Sequence, residues 1–245
     1  MIRADPDTPA PDERAPAETP VRCRCCGSAN IASVDVLPPE LIAAWELAPD
    51  EAAFINRQQG LHCRDCGATL RCWGLAVALM RLYRFDGLFA QFVQAPVATA
   101  LRVLEINAAG ALTRYLRALP RHVAVEYPSV DMGALPFPAR SFDLVVHADT
   151  LEHIPDPVAG LAECRRVLDA NGVCAFTAPL IVGRLTRSRA GMPPSFHGTA
   201  AEGHPYLVHT EFGADLWTHA LRAGFPECRA YSLEFPATVA WLACR

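Results

Sequence analysis

Two short cysteine motifs carry the clearest chemistry in this sequence. They read Cys23-Arg-Cys-Cys26-Gly and Cys63-Arg-Asp-Cys66-Gly. In each, a two-residue gap lets both sulfurs face one ion, and the glycine permits the tight turn behind them. Two such knuckles supply the four thiolates of a closed tetrahedral zinc site, Cys23, Cys26, Cys63 and Cys66. Cys25 is a poorer ligand than Cys23, because its partner Cys26 is adjacent. Four filled positions leave no place for water, so the expected Zn2+ is structural. The remaining cysteines, 72, 164, 174, 228 and 244, lie in apolar patterns and read as core thiols.

A second set of residues lies beyond residue 100. The stretch LRVLEINAAGALTRYL (101–116) resembles the first motif of class I S-adenosylmethionine (SAM)-dependent methyltransferases. LPFPARSFDLVVHADTLEHIPDPVAGLAECRRVLDANGVCAFTAP (135–179) resembles their later motifs, and more specifically. The resemblance is to the type 11-like methyltransferases, and the paired knuckles look like those of a bacterial subgroup with an N-terminal zinc-binding module. It implies SAM as cofactor. Glu105, at the end of the first strand, matches the acidic residue near the cofactor's amino-acid portion. Glu126, 21 residues on, is placed to accept hydrogen bonds from the ribose hydroxyls, and Asp131 matches the aspartate that contacts the adenine amino group. The family turn, acid-x-Gly-x-Gly-x-Gly, is replaced by Glu105-Ile-Asn107-Ala-Ala109-Gly110-Ala111. Gly110 alone remains, out of register, while Asn107 tolerates positive φ better than most residues.

On the acceptor side the resemblance places Asp149, Glu152 and His153. His153 suits a general base and suits equally a residue that braces its loop. His147 lies within a strand pattern and reads as core. Residues 183–212 fit neither helical nor strand period and read as a lid-like insertion. They hold Arg184, Arg187, Arg189, His197, His204, His209 and Glu211. His197 and His209 are base candidates there, with Glu211 able to orient a ring. The three arginines suit a carboxylate or phosphate clamp and equally a solvated turn; a lid held by its own polar contacts is the alternative for the whole segment.

The elements that must position these groups follow from periodicity. Residues 1–20 are rich in Pro, Ala and acid and read as a disordered tail. A zinc-binding module with a helical insert spans 21–70, and a helical connector 71–98, with Gly87 a candidate break. A methyltransferase domain spans 99–245. Within it strands are expected at 102–106, 123–126, 142–147, 173–177, 227–235 and 238–244, and helices at 111–119, 156–168 and 214–223. The expected fold is α/β, a Rossmann-like, mostly parallel sheet with ligands at the carboxyl ends of its strands. Only four residues separate Glu126 from Asp131, so the strand count is reduced.

Composition narrows the function. Of 245 residues, 51% are hydrophobic, enough for a core, and the net charge is −4. All 22 basic residues are arginine. The absence of lysine excludes Schiff-base chemistry and a Walker A phosphate loop. No apolar run spans a bilayer, and with no apolar signal region the chain reads as cytoplasmic. The leading expectation is a methyltransferase acting on a small-molecule or sugar-like acceptor. An inactive methyltransferase-fold binding or scaffold protein is the alternative that the eroded glycine turn keeps open. An RNA methyltransferase is a third, but residues 1–70 hold six Arg against eleven Asp plus Glu, a balance that repels phosphate. The oligomeric state is left open.

Overall fold

The computed structural model describes residues 21–197 and 206–245. The expected tail 1–20 and His204 lie outside the described residues. The N-terminal part pairs strand β1 (Ile31–Ala32) antiparallel with β2 (His62–Cys63). Helices α1 (Pro39–Ala44) and α2 (Pro49–Gly60) fill the interval between them. Proline opens each helix, where its missing N–H costs nothing. Helix α3 (Leu70–Leu82) follows, its N-terminus capped by Thr69, whose hydroxyl accepts from the Cys72 N–H.

The helix expected to run through residues 71–98 stops at Leu82. Arg84 takes φ 53° and Gly87 φ 142°, both incompatible with a continuing right-handed helix. Two single-turn helices, α4 (Phe89–Phe92) and α5 (Pro96–Thr99), complete the interval. The segment is also no mere tether. Trp73, Leu75, Ala76 and Leu79 of α3 share one apolar cluster with Cys23, Cys63 and Cys66 on one side. On the other side that cluster includes Val103, Leu144, Val146, Ala240 and Leu242 of the sheet.

The main sheet is built from β3 (Val103–Ile106), β4 (His122–Val125), β5 (Phe142–Ala148) and β6 (Leu168–Thr177), all parallel. A 3-10 turn at Gly110–Leu112 and the short α6 (Thr113–Leu116) replace the longer helix expected at 111–119. Helix α7 (Pro157–Val167) joins β5 to β6. Asp156 caps it, accepting from the Val158 and Ala159 N–H groups at 3.0 Å. After β6, among the described residues, come four two-residue strands and one longer one: β7 (Leu180–Ile181), β8 (Arg187–Ser188), β9 (Phe196–His197), β10 (Tyr206–Leu207) and β11 (Thr210–Gly213). The described residues of the insertion, 183–197 and 206–212, are therefore organised, with β11 between β7 and β8 in a small sheet. Helix α8 (Trp217–Arg222) and strands β12 (Glu227–Glu234) and β13 (Thr238–Cys244) end the chain.

Sheet order is β12-β13-β6-β5-β3-β4, with β13 antiparallel to both neighbours. Among the described residues no strand lies between β4 and β5, as the short 126–131 interval implies. Helix α3 covers one face, while α7 and α8 cover the other over Val145, Cys174, Phe176 and Trp241. From β3 the chain goes to β4 on one side, then returns to β5 on the other. That reversal opens a crevice between the carboxyl ends of β3 and β5, where open α/β sheets take their ligands. Among the described residues no helix is long and apolar enough to cross a membrane.

Close contact between α3 and the sheet rests on Gly74. A Cβ there would stand 2.2 Å from Thr238 Cγ2, itself buried. Gly74→Ala is expected to destabilise the protein by about 1–2 kcal/mol, overpacking outweighing the helical preference for alanine. Thr238→Ser, which removes the offending methyl, should restore most of the loss in the double variant. Urea denaturation of the three proteins checks this; an additive double variant would remove the steric explanation.

Candidate functional site

Each cysteine knuckle turns on its glycine. Gly27 and Gly67 take φ 83° and 76°, and their N–H groups bond to the Cys23 and Cys63 carbonyls at 2.9 and 2.8 Å. Pairing of Ile31 with Cys63 brings the knuckles together. Cys23 Sγ lies 3.5 Å from Cys66 Sγ, and Cys26 Sγ 3.6 Å from Cys63 Sγ. All four sulfurs lie within 4.8 Å of one another. Zn–S bonds of about 2.3 Å in a tetrahedron space sulfurs by about 3.8 Å, so the donor set fits a zinc ion. Cys25 stays outside it, its backbone N–H directed at Cys23 Sγ, 3.4 Å away.

At the crevice, Asn107 staples three strand ends. It sits at φ 55° just past β3. Its N–H donates to the Val125 carbonyl at 2.8 Å, its Oδ1 accepts from the Tyr127 N–H at 3.0 Å, and its Nδ2 reaches Thr150 Oγ1 at 3.4 Å. Gly110 takes φ 57° and starts the turn into α6. A Cβ on it would meet Cys72 Sγ at 3.1 Å and Arg71 Nη2 at 3.4 Å. Glu126 is exposed immediately after β4. Asp131 is exposed too, one oxygen accepting from the Gly133 N–H at 2.7 Å.

Glu105 is placed differently. It faces inward at 1% exposure. Its oxygens accept from the Ala109 N–H at 2.8 Å, from the Thr113 hydroxyl, and pair with His122 Nε2 at 2.8 Å. Its carboxylate therefore shapes the turn from within. Burial pushes the carboxyl up, but His122, Thr113 and the Ala109 amide together hold it below its ordinary range.

Sequence reasoning missed the groups that cover this crevice from the N-terminal side. Asp149, at φ 46° just past β5, forms an ion pair with Arg71 of α3. Gln59 of α2 donates to the same Asp149 oxygen at 2.8 Å, and the Thr177 hydroxyl donates to the other at 3.1 Å. Arg71 Nε is buried and finds no hydrogen-bond partner among the described residues. No spacing signal marks Gln59 or Arg71, which lie 90 and 78 residues from Asp149.

On the acceptor side, the insertion folds onto the 3-10 turn Leu151–His153. His153 Nδ1 lies 2.9 Å from the Leu207 carbonyl, its Nε2 3.5 Å from Glu152 Oε1, and its ring 5.3 Å from that of Tyr206. The His209 N–H donates to the Glu152 carbonyl at 2.8 Å, and its ring is half-buried. His197 pairs through its backbone with Tyr206. The three arginines, read in sequence equally as an anion clamp or a solvated turn, are engaged within the protein. Arg184 pairs with Glu51 and donates to the Trp45 and Glu46 carbonyls, while Arg187 and Arg189 both pair with Glu211. Glu211 is thereby committed to guanidinium groups rather than to a histidine ring, because it is buried between them.

The inward placement of Glu105 has a measurable consequence. Glu105→Gln should cost about 1.5–3 kcal/mol at neutral pH, through loss of hydrogen bonds to a charged acceptor. A carboxyl held low in the fold contributes stability above its ordinary pKa, and that stability disappears as pH falls through the folded value. The wild type should therefore lose more stability than the variant between about pH 5 and pH 3. Parallel curves for the two proteins over that range would contradict this.

Comparison with known proteins finds sequence similarity over the segment that carries these strand ends. Residues 86–176 match the family described as "Methyltransferase domain". Aklanonic acid methyltransferase from Streptomyces sp. (strain C5) is 42% identical over 64 residues, covering 24% of this chain and 26% of that one. A 2-methyl-6-phytyl-1,4-hydroquinone methyltransferase from Oryza sativa subsp. japonica is 31% identical over 87 residues, covering 36% of this chain and 18% of its own. The chain thus spans about a quarter or less of the length of the curated relatives it matches. A solved S-adenosylmethionine-dependent methyltransferase from Mesorhizobium loti aligns with 59% of this chain and 91% of that one, at 14% identity and a TM-score of 0.37. The segment from 86 to 176, which carries β3, β4, β5 and the Asp149 crevice, is therefore similar in sequence to methyltransferase domains.

Proposed function

We propose that this chain is a class I SAM-dependent methyltransferase acting on a small-molecule acceptor. The observation that carries the reading is the reversal of strand order at β3, which opens a crevice edged by Asn107, Glu126 and Asp149. Glu126 and Asp131 are both exposed, which leaves them free for the ribose and adenine contacts that the family resemblance assigns to them. Asp149 and Arg71 present a carboxylate and a guanidinium side by side, the complement of an α-amino acid zwitterion. Bound there, SAM supplies a methyl group already activated by its sulfonium. The protein's part is then to hold donor and acceptor in line, exclude water, and take a proton where the nucleophile carries one.

His153, His197 and His209 are the base candidates. The Leu207 carbonyl accepts from His153 Nδ1 when that nitrogen carries the proton, leaving Nε2 as the basic atom. The insertion acts as a lid over the acceptor. The two curated relatives reported above are named for aklanonic acid and for 2-methyl-6-phytyl-1,4-hydroquinone, which favours a small acceptor over a macromolecule.

Calorimetry with SAM tests the reading and separates it from a binding protein that has lost the cofactor. Folded wild-type protein should bind SAM, and Glu126→Ala should weaken it by about 1.5–3 kcal/mol for each bond lost, at most. No heat of binding to wild type overturns the enzyme reading. His153→Ala and His209→Ala should slow methyl transfer by ~10²–10⁴-fold with SAM affinity unchanged. Wild-type turnover in both would move the base elsewhere, His197 being next.

For the four-cysteine cluster we propose a structural Zn2+. Its closed set of four thiolates and its sulfur spacing support this. Cys63→Ser should lower the zinc content by one ion per chain. It should also weaken the fold, because structural zinc contributes on the order of 10 kcal/mol to its module. Unchanged zinc content and unchanged stability in that variant would rule the site out.

A further inference from the structure

A second cluster of donor groups lies on the opposite face of the sheet from the four cysteines. His147 of β5 and Cys174 of β6 sit on the face covered by α7. Cys164 projects from the buried stripe of α7, with Leu161 and Val167. All three residues are fully buried. Their ligand atoms lie within 4.8 Å of one another.

The imidazole is the telling member. A neutral ring carries one donor and one acceptor. Here both His147 nitrogens are buried and neither finds a hydrogen-bond partner among the described residues. The ring instead stacks on Phe176 at 4.9 Å. An apolar side chain would fill that space without leaving polar atoms unpaired, each of which costs stability. A histidine with two unpartnered nitrogens beside two thiols is therefore an anomaly unless something occupies the space between them.

We propose that His147, Cys164 and Cys174 form a second, internal zinc site. Two sulfurs and an imidazole are soft and borderline donors, which select zinc or copper(I) over magnesium or calcium. Binding releases one proton from each thiol to solvent. The two thiolates then neutralise a divalent ion, so the filled site carries no net charge into the apolar core, whereas copper(I) would leave it negative. The ion would tie β5, β6 and α7 together beneath the Leu151–His153 turn. The proposal does not depend on the methyltransferase reading.

The test is the zinc content of the full chain by mass spectrometry, with the variants read separately. Wild type should hold about two zinc ions per chain. Cys63→Ser should lose one and Cys174→Ala the other. Cobalt(II) loaded into Cys63→Ser should still give thiolate-to-cobalt absorption, which Cys63→Ser/Cys174→Ala abolishes. His147→Leu supplies an independent readout: it should lower the melting temperature of zinc-loaded protein and raise it once zinc is chelated. One zinc in wild type, lost entirely with Cys63→Ser, overturns the proposal. So does a melting temperature that His147→Leu raises in both states, and so does recovery of copper in place of zinc.

Discussion

The ion pair between Arg71 and Asp149 is where the two halves of this molecule meet. Asp149 follows β5 in a left-handed conformation that an L-residue adopts only when its surroundings hold it. Arg71, Gln59 and Thr177 supply that hold. Both partners of the pair are only about 15% exposed, and taking them out of water is costly. Broad apolar burial beside them offsets the cost, since α3 lies across the sheet in one continuous core with the cysteine knuckles. The position of the N-terminal part, the covering of the sheet face and the shape of the crevice are thus a single packing solution. Gly110 belongs to it, because a side chain there would press on Arg71 and Cys72.

The insertion after β6 is held by the same N-terminal part. Arg184 reaches Glu51 and the carbonyls of Trp45 and Glu46. Trp45 Nε1 donates to Ser195 Oγ at 2.8 Å, and Arg189 lies over the Trp45 ring at 5.5 Å. Ile181 and Val208 join Trp45 in a small apolar cluster of their own. The interval between the knuckles therefore has a task beyond linking them, which is to grip the segment that folds onto the Leu151–His153 turn. Cysteine cluster, helical insert and the described residues after β6 form one mechanical series beside the strand ends.

Local pattern carried much of the fold. Alternating strands and helices located five of the main-sheet strands to within a residue at each end, because strands read as short apolar runs bounded by turn residues, while β6 starts five residues before the expected 173 and runs through Asn171 and Gly172. The missing strand between β4 and β5 followed from chain length alone. Asn107 was legible as a turn residue because its side chain tolerates positive φ, and the knuckle glycines because only that spacing lets two sulfurs face one ion. Where expectation failed, the cause was tertiary. The helix from residue 71 ends early because Arg84 and Gly87 turn the chain back onto the core. Glu105 turns inward because His122, 17 residues away, supplies a partner that no local motif announces.

The sequence by itself determined the alternation of strands and helices that makes an α/β class, and the two knuckles that carry the four sulfurs, since each strand, helix and knuckle depends on residues close together in the chain. Only the tertiary structure decided how the charged groups are used. Arg184, Arg187 and Arg189 look like an anion clamp in sequence, yet they pair with Glu51 and Glu211. Arg71 carries no signal in sequence, yet it faces the crevice through Asp149. The physical reason is that a charge must find its counter-charge wherever the chain brings one near. Hydrophobic periodicity records which way a residue faces on its own element, but not which charge on another element it will meet.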